Sequence, residues 1–246
     1  MIPYRSALAK LSERSKILLG KIFHTLFIII MLFFALSFFQ VILLKWINPF
    51  TSSVMIQRQI EKVFSGGGFI HYSWVDYDNI SKQVALAVVA SEDQNFPYHI
   101  GFDFEQIDKA IKENKRRRHL RGASTITQQL AKNLFLWEGQ SFIRKGIEAY
   151  YTVLLEYFWS KERILEVYLN IAEMGKDVFG VGAASIIFFN KLPIRLTKSE
   201  GALIAAVLPN PKRYSIKYPS GYVRSRQQWV MKQMDSLGGV SYIENL

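Results

Sequence analysis

Residues 22–44 read IFHTLFIIIMLFFALSFFQVILL. This run of about 23 residues carries no formal charge and is long enough to cross a hydrocarbon core of roughly 30 Å as one helix. His24 lies near one end and Gln40 near the other, where polar groups cost least. A buried helix of a soluble domain is the plainer alternative, but the length and all-round apolarity of the run argue against it. A cleaved leader has a shorter apolar core and a small-residue cleavage site, which is missing after Leu44. The stretch therefore reads as a transmembrane anchor, and it divides the chain. Residues 1–21 form a basic tail, 22–44 the span, 45–75 a juxtamembrane stalk, and 76–246 a single globular domain.

The flanks orient the span. Arg5, Lys10, Arg14, Lys16 and Lys21 precede it, against the single acid Glu13, and Lys45 alone follows. Such a cluster is retained on the cytoplasmic side, which places the large domain outside. For a bacterium this means a single pass through the inner (plasma) membrane with a periplasmic domain. The absence of cysteine excludes thiol catalysis, disulfides and Cys-type zinc sites. The net charge of +11 suits anionic lipid or a phosphorylated substrate. Nucleic acid is not expected, because the topology faces lipid and the basic run Lys115–Arg118, with His119 and Arg121, has no interleaved aromatics for base stacking. Beside a membrane that run suits anionic head groups.

Past residue 75 the apolar period is helical. Ile80, Val84, Ala87, Val88 and Ser91 form a stripe leading to Glu92, and Phe104, Ile107 and Ile111 mark a second helix. Gln128–Leu136 continues as helix, and a long one spans about 142–158 with Ser141 as its cap. Ser160 caps the next. Thr197 and Glu200 have capping-box spacing, and Pro209-Asn210-Pro211 stops the helix that follows. The fold class is mainly α.

Two glutamates stand in dense polar surroundings. Glu92 opens Glu92-Asp93-Gln94-Asn95-Phe96-Pro97-Tyr98-His99-Ile100-Gly101. At the end of an apolar helix its carboxyl should emerge at the lip of the core, where partial desolvation raises a carboxylate toward the working range of a general base. A helix-end salt bridge is the plainer alternative. His99 reads as a structural hydrogen-bonding residue, since four histidines without an i, i+4 pair do not make a zinc site. Gly101 supplies a turn conformation and Asp103 caps the following helix. In Ser124-Thr125-Ile126-Thr127-Gln128-Gln129-Leu130-Ala131-Lys132-Asn133, helical spacing puts Thr125, Gln128, Gln129 and Lys132 on one face. That face suits sugar hydroxyls and phosphate oxygens, although Thr and Gln are also ordinary on solvated helices. Arg144 and Glu148 share a face four residues apart, with Lys145 beside them, as an ion pair or as a diphosphate-binding group. A carboxylate pair with cations, amides and hydroxyls between them is what glycosyl transfer needs.

Together and in order, these motifs resemble the peptidoglycan glycosyltransferases of glycosyltransferase family 51, in particular their monofunctional biosynthetic members. The likeness continues through Lys161–Asn170, Gly180-Val181-Gly182-Ala183-Ala184, Phe189-Asn190-Lys191 and Leu196–Pro211. It implies a lysozyme-like helical domain of two lobes, polymerising lipid II into β-1,4-linked glycan strands with release of undecaprenyl diphosphate. By resemblance Glu92 matches the general base and Glu148 the second essential carboxylate. Ser124, Thr125, Gln128, Gln129, Lys132, Asn133, Arg144 and Lys145 match the substrate-binding positions, with Asp93, Phe96, His99 and Gly101 structural beside them. The departure of a diphosphate needs cations. No cofactor is required, and a divalent cation (Mg or Mn) at the donor diphosphate is compatible. Many relatives carry Arg where this chain has Gln140. The implied partners are lipid II, the growing glycan chain, membrane lipids, cell-wall transpeptidases and division proteins. Two alternatives stand beside this reading. One is a lytic transglycosylase or muramidase on a similar fold, and the other is an inactive membrane scaffold.

Overall fold

The computed structural model describes residues 3–114, 122–139, 141–244 and 246, the side chains of residues 3–17 and 114 excepted. The basic run 115–121 and Gln140 lie outside the described residues. The chain forms two compact units, one ending at Leu44 and one covering Lys45–Leu246.

In the first unit, helix α1 (Pro3–Trp46) is continuous. The basic tail is thus the first part of the same helix rather than a separate segment. From Leu18 to Trp46 it runs 29 residues, a length of about 43 Å at 1.5 Å per residue, and contains an 18-residue window of mean hydropathy 2.8. Phe23, Phe27, Leu36 and Phe39 are all exposed. A helix of this length, with most of its apolar side chains exposed, has the length and composition to cross a membrane.

In the second unit, helix α2 (Ser53–Phe64) starts at Ser52, whose hydroxyl accepts from the Met55 amide at 3.2 Å. Val54 and Met55 are buried. Strand β1 (His71–Tyr72) then pairs in parallel with β3 (Val178–Phe179), which runs antiparallel to β2 (Glu173–Gly175), giving the order β1-β3-β2. The stretch 45–75 is therefore not a free stalk. It supplies a packed helix and a strand to the domain, because its few apolar positions cluster on one side of α2. Strands this short leave no period-two signal to read, so the sheet is invisible in the sequence.

The core is helical. Helix α3 (Lys82–Glu92) is buried from Val84 through Ala90 without a break, and it packs against α9 (Lys198–Val207) and α10 (Gly221–Ser236). Gly201 permits the close α3–α9 approach, since a Cβ there would lie 3.0 Å from the Val84 Cα. Helix α4 (Phe104–Asn114) follows the loop after Glu92, and the Asp103 carboxylate accepts from the Gln106 amide at its start. Helix α5 (Ile126–Phe135) packs on α6 (Phe142–Phe158) and α7 (Lys161–Ile171). Ser141 and Ser160 cap α6 and α7, and Thr197 with Glu200 closes a capping box on α9. A short helix, α8 (Gly180–Ala184), leads into a five-residue π-helical turn, Ser185–Phe189. The architecture is mainly α, with one apolar N-terminal helix.

Candidate active site

Glu92 is the last residue of α3, a helix so apolar that it is buried on every face. The chain leaves the helix at Asp93, and the Glu92 carboxyl meets the wall of a cavity of about 1010 Å³. Both of its oxygens are held. Oε1 accepts from the Ser91 hydroxyl at 3.1 Å and Oε2 from the Gln129 side-chain amide at 3.0 Å. Burial pushes the carboxyl upward, and the bonds from Gln129 and Ser91 oppose it. Arg226 pulls it down as well, whereas the neighbouring Asp93 adds to the rise. The net shift is up, as expected for a carboxyl at the lip of a core.

Gln129 is oriented from behind. The Tyr168 hydroxyl donates to its Oε1 at 2.8 Å. Burial holds the Tyr168 phenol well above its ordinary range, with Glu92 and Asp93 adding to the effect, so it stays a donor. The Gln129 carbonyl must therefore face Tyr168, and its NH2 group must face Glu92.

Asp93 is a framework residue. Its carboxylate accepts from His99 Nε2 at 2.9 Å and from the Ile126 amide at 2.9 Å, joining the loop after α3 to the start of α5. The Gly101 amide donates to His99 Nδ1 at 3.0 Å, which leaves the ring proton on Nε2, aimed at Asp93. Phe96 is fully buried against the His99 ring. Gly101 has φ +87°, and a Cβ there would stand 2.7 Å from Thr152 Cγ2 and 2.9 Å from Glu156 Cγ. Only glycine fits both the dihedral and the space.

The expected ligand face of α5 is divided. Thr125 and Gln128 are buried and engage each other in a capping box, and the Thr125 hydroxyl also donates to the Gly101 carbonyl at 2.7 Å. Their polar atoms hold the fold. Gln129, Lys132 and Asn133 instead line a second cavity of about 230 Å³, together with Tyr168 and Lys212. Gln129 and Pro209 border both cavities. Ser124, exposed, lines the larger one.

The Lys132 ammonium makes no hydrogen bond or ion pair among the described residues. Burial lowers its pKa, while Glu148 draws it back up and Arg144 adds to the lowering. An ammonium without a partner in a half-buried cavity is a site for an anion. Glu148 lies mid-way along α6 and is 3% exposed. Its Oε2 accepts from Arg144 Nη1 at 2.9 Å, and its Oε1 takes the Lys145 ammonium. Lys145 also reaches the Ser124 hydroxyl at 3.5 Å. Arg144 Nε is buried with no hydrogen-bond partner among the described residues. Three cations thus surround one carboxylate.

A protein-held divalent ion does not fit this donor set. Both Glu148 oxygens are occupied by cations, and no group of three or more His, Asp or Glu converges among the described residues.

The transglycosylase family model matches residues 61–235. A biosynthetic peptidoglycan transglycosylase of Cronobacter sakazakii is 56% identical over 197 residues, covering 79% of this chain and 81% of that protein. The chain belongs to this family. A biosynthetic peptidoglycan transglycosylase of Escherichia coli is 54% identical over 199 residues, with 80% and 82% covered. One of Xanthomonas campestris pv. campestris is 48% identical over 216 residues, with 87% and 88% covered. In this transglycosylase Tyr168, Lys212, Arg226, Trp229 and Gln233 also line the two cavities, and none of them is expected there from the sequence. Tyr168 reads in sequence as one more apolar position of α7. The α10 residues sit in a helix whose polar positions look like any solvated surface, so no signal marked them.

Proposed function

We propose that this peptidoglycan transglycosylase polymerises lipid II by an inverting displacement, with Glu92 as general base. The Glu92 carboxylate takes the proton of the acceptor's 4-hydroxyl as that oxygen bonds to the anomeric carbon of the donor sugar. The bond from that carbon to the diphosphate breaks, and undecaprenyl diphosphate leaves with the electron pair. Its charge falls to Lys132, Arg144 and Lys145, while Glu148 holds the last two in place. A diphosphate is a good leaving group, so cations suffice for it without a proton donor. Gln129 carries this reading. One amide side chain both binds the base and borders the cavity of the unpartnered Lys132. The catalytic unit stands on the periplasmic side of the inner membrane, anchored by α1. The basic residues ahead of the span and the apolar surface of α1 support this placement.

The raised Glu92 carboxyl also suits a general acid, and so favours a second reading, cleavage of finished glycan. Detergent-solubilised protein given lipid II, and separately given intact sacculi, separates the two. Glycan chains growing from lipid II, and lost in Glu92→Gln, support polymerisation. Soluble muropeptides from sacculi with no chain growth reject it.

A further inference from the structure

We propose that Arg226, on α10, is a positioning residue for the base, acting on Glu92 through the Ser91 hydroxyl. The inference rests on Glu92 being the base. Arg226 Nη2 donates to the Ser91 carbonyl and to the Ser91 hydroxyl oxygen, both at 3.3 Å. The first bond fastens the last turn of α3 to α10. The second occupies a lone pair of the hydroxyl, so its single proton is directed away from Arg226. The nearest acceptor for that proton among the described residues is Glu92 Oε1 at 3.1 Å, and the other, the Ala205 carbonyl, is 3.5 Å away. The Trp229 ring, 4.0 Å from the guanidinium, keeps Arg226 in place by a cation–π contact.

The carboxylate is thus held from two sides by parallel relays. Tyr168 and Gln129 fix Oε2 from α7 and α5. Arg226 and Ser91 fix Oε1 from α10 and α3, and only this relay ends in a full positive charge. The titratable and charged groups facing Glu92 are Asp93 on its own chain segment, Tyr168 from α7 and Arg226 from α10. Among the described residues Arg226 is the cation of this group. It offsets part of the burial that favours the protonated acid, and so keeps the base ionised at lower pH. Both relays leave each oxygen a lone pair for the acceptor's proton.

The test is the pH profile of kcat/KM on lipid II for wild type, Arg226→Ala, Arg226→Lys and Ser91→Ala. Arg226→Ala should lower kcat/KM roughly tenfold at neutral pH and move the acidic limb to higher pH. Arg226→Lys should recover part of that shift. Ser91→Ala should shift the limb in the same direction, and the double variant should do no more than Arg226→Ala alone. A loss of equal size at every pH, or effects of the two substitutions that multiply, overturns the proposal. Melting temperatures keep it separate from the function assigned above. The divergence in stability between wild type and Glu92→Gln opens as pH rises through the ordinary carboxylate range and levels off at the folded Glu92 pKa. In the Arg226→Ala background its upper end should therefore move to higher pH and its size should grow, whatever reaction the protein performs. An unmoved divergence overturns the connection. A moved divergence with no lipid II turnover by wild type would leave the connection standing and remove the polymerase reading.

Discussion

The two carboxylates of this site live under opposite electrostatics. Glu92 ends a wholly apolar helix, and its immediate donors are neutral, a hydroxyl and an amide. Glu148 sits inside an amphipathic helix with a cation on each oxygen and a third nearby. One carboxylate has no direct ion pair, and burial raises it against the pull of Arg226. The other is saturated by charge and acts as an anchor for cations. Residue type does not distinguish them; the partners do. A group meant to exchange a proton is given neutral partners, and a group meant to hold charge is given charged ones.

This contrast is best broken at Glu92. Glu92→Gln should lower turnover of lipid II by about 10²–10⁴-fold, the usual worth of a general base. The same variant should melt at higher temperature than wild type in alkaline buffer. The sign follows from the raised pKa. The protonated acid is favoured in the folded state, so its stabilising effect is lost as pH rises through the folded pKa. Below the ordinary carboxylate range the two proteins should melt alike.

Glu148→Gln should behave oppositely in stability. Removing one partner of a buried, charge-paired group strands Arg144, at a cost of about 3–5 kcal/mol, read as a lower denaturation midpoint. If Glu148→Gln is as stable as wild type while Glu92→Gln is less stable, the division of roles proposed here is wrong. Lys132→Met sharpens the cationic half. It should weaken binding of inorganic pyrophosphate by roughly ten- to a hundredfold. In wild type that affinity should fall as pH rises through the depressed Lys132 pKa, because only the ammonium attracts the anion. Calorimetric titration across pH checks both. Thr125→Ala should give the smallest effect, about 1 kcal/mol from the lost cap, with pyrophosphate affinity unchanged. A loss of affinity there would restore Thr125 to the ligand face.

Much of the fold was legible because caps and helical stripes are local. Ser141, Ser160, and Thr197 with Glu200 mark helix starts by chemistry confined to one turn. The apolar span of α1 needs only length. The role of Thr125 and Gln128 was ambiguous for a physical reason. A residue at N-cap and one at N3 share a face, and the same hydroxyl and amide serve a cap or a ligand equally well at that spacing. Arg226 was out of reach because its importance depends on α10 crossing α3, a contact between residues 135 positions apart. The sheet hid in strands of two and three residues.

The Tyr168–Gln129 contact has a consequence for inhibitor chemistry. With its carbonyl pinned by a phenol that stays protonated, Gln129 cannot turn over to greet a ligand, and it always shows the base a donor. A ligand group approaching Glu92 therefore meets open lone pairs rather than open protons. Hydroxyls, amidines and ammonium groups have a place to bind beside the base. Immediately beside the base, sulfonates and carboxylates do not.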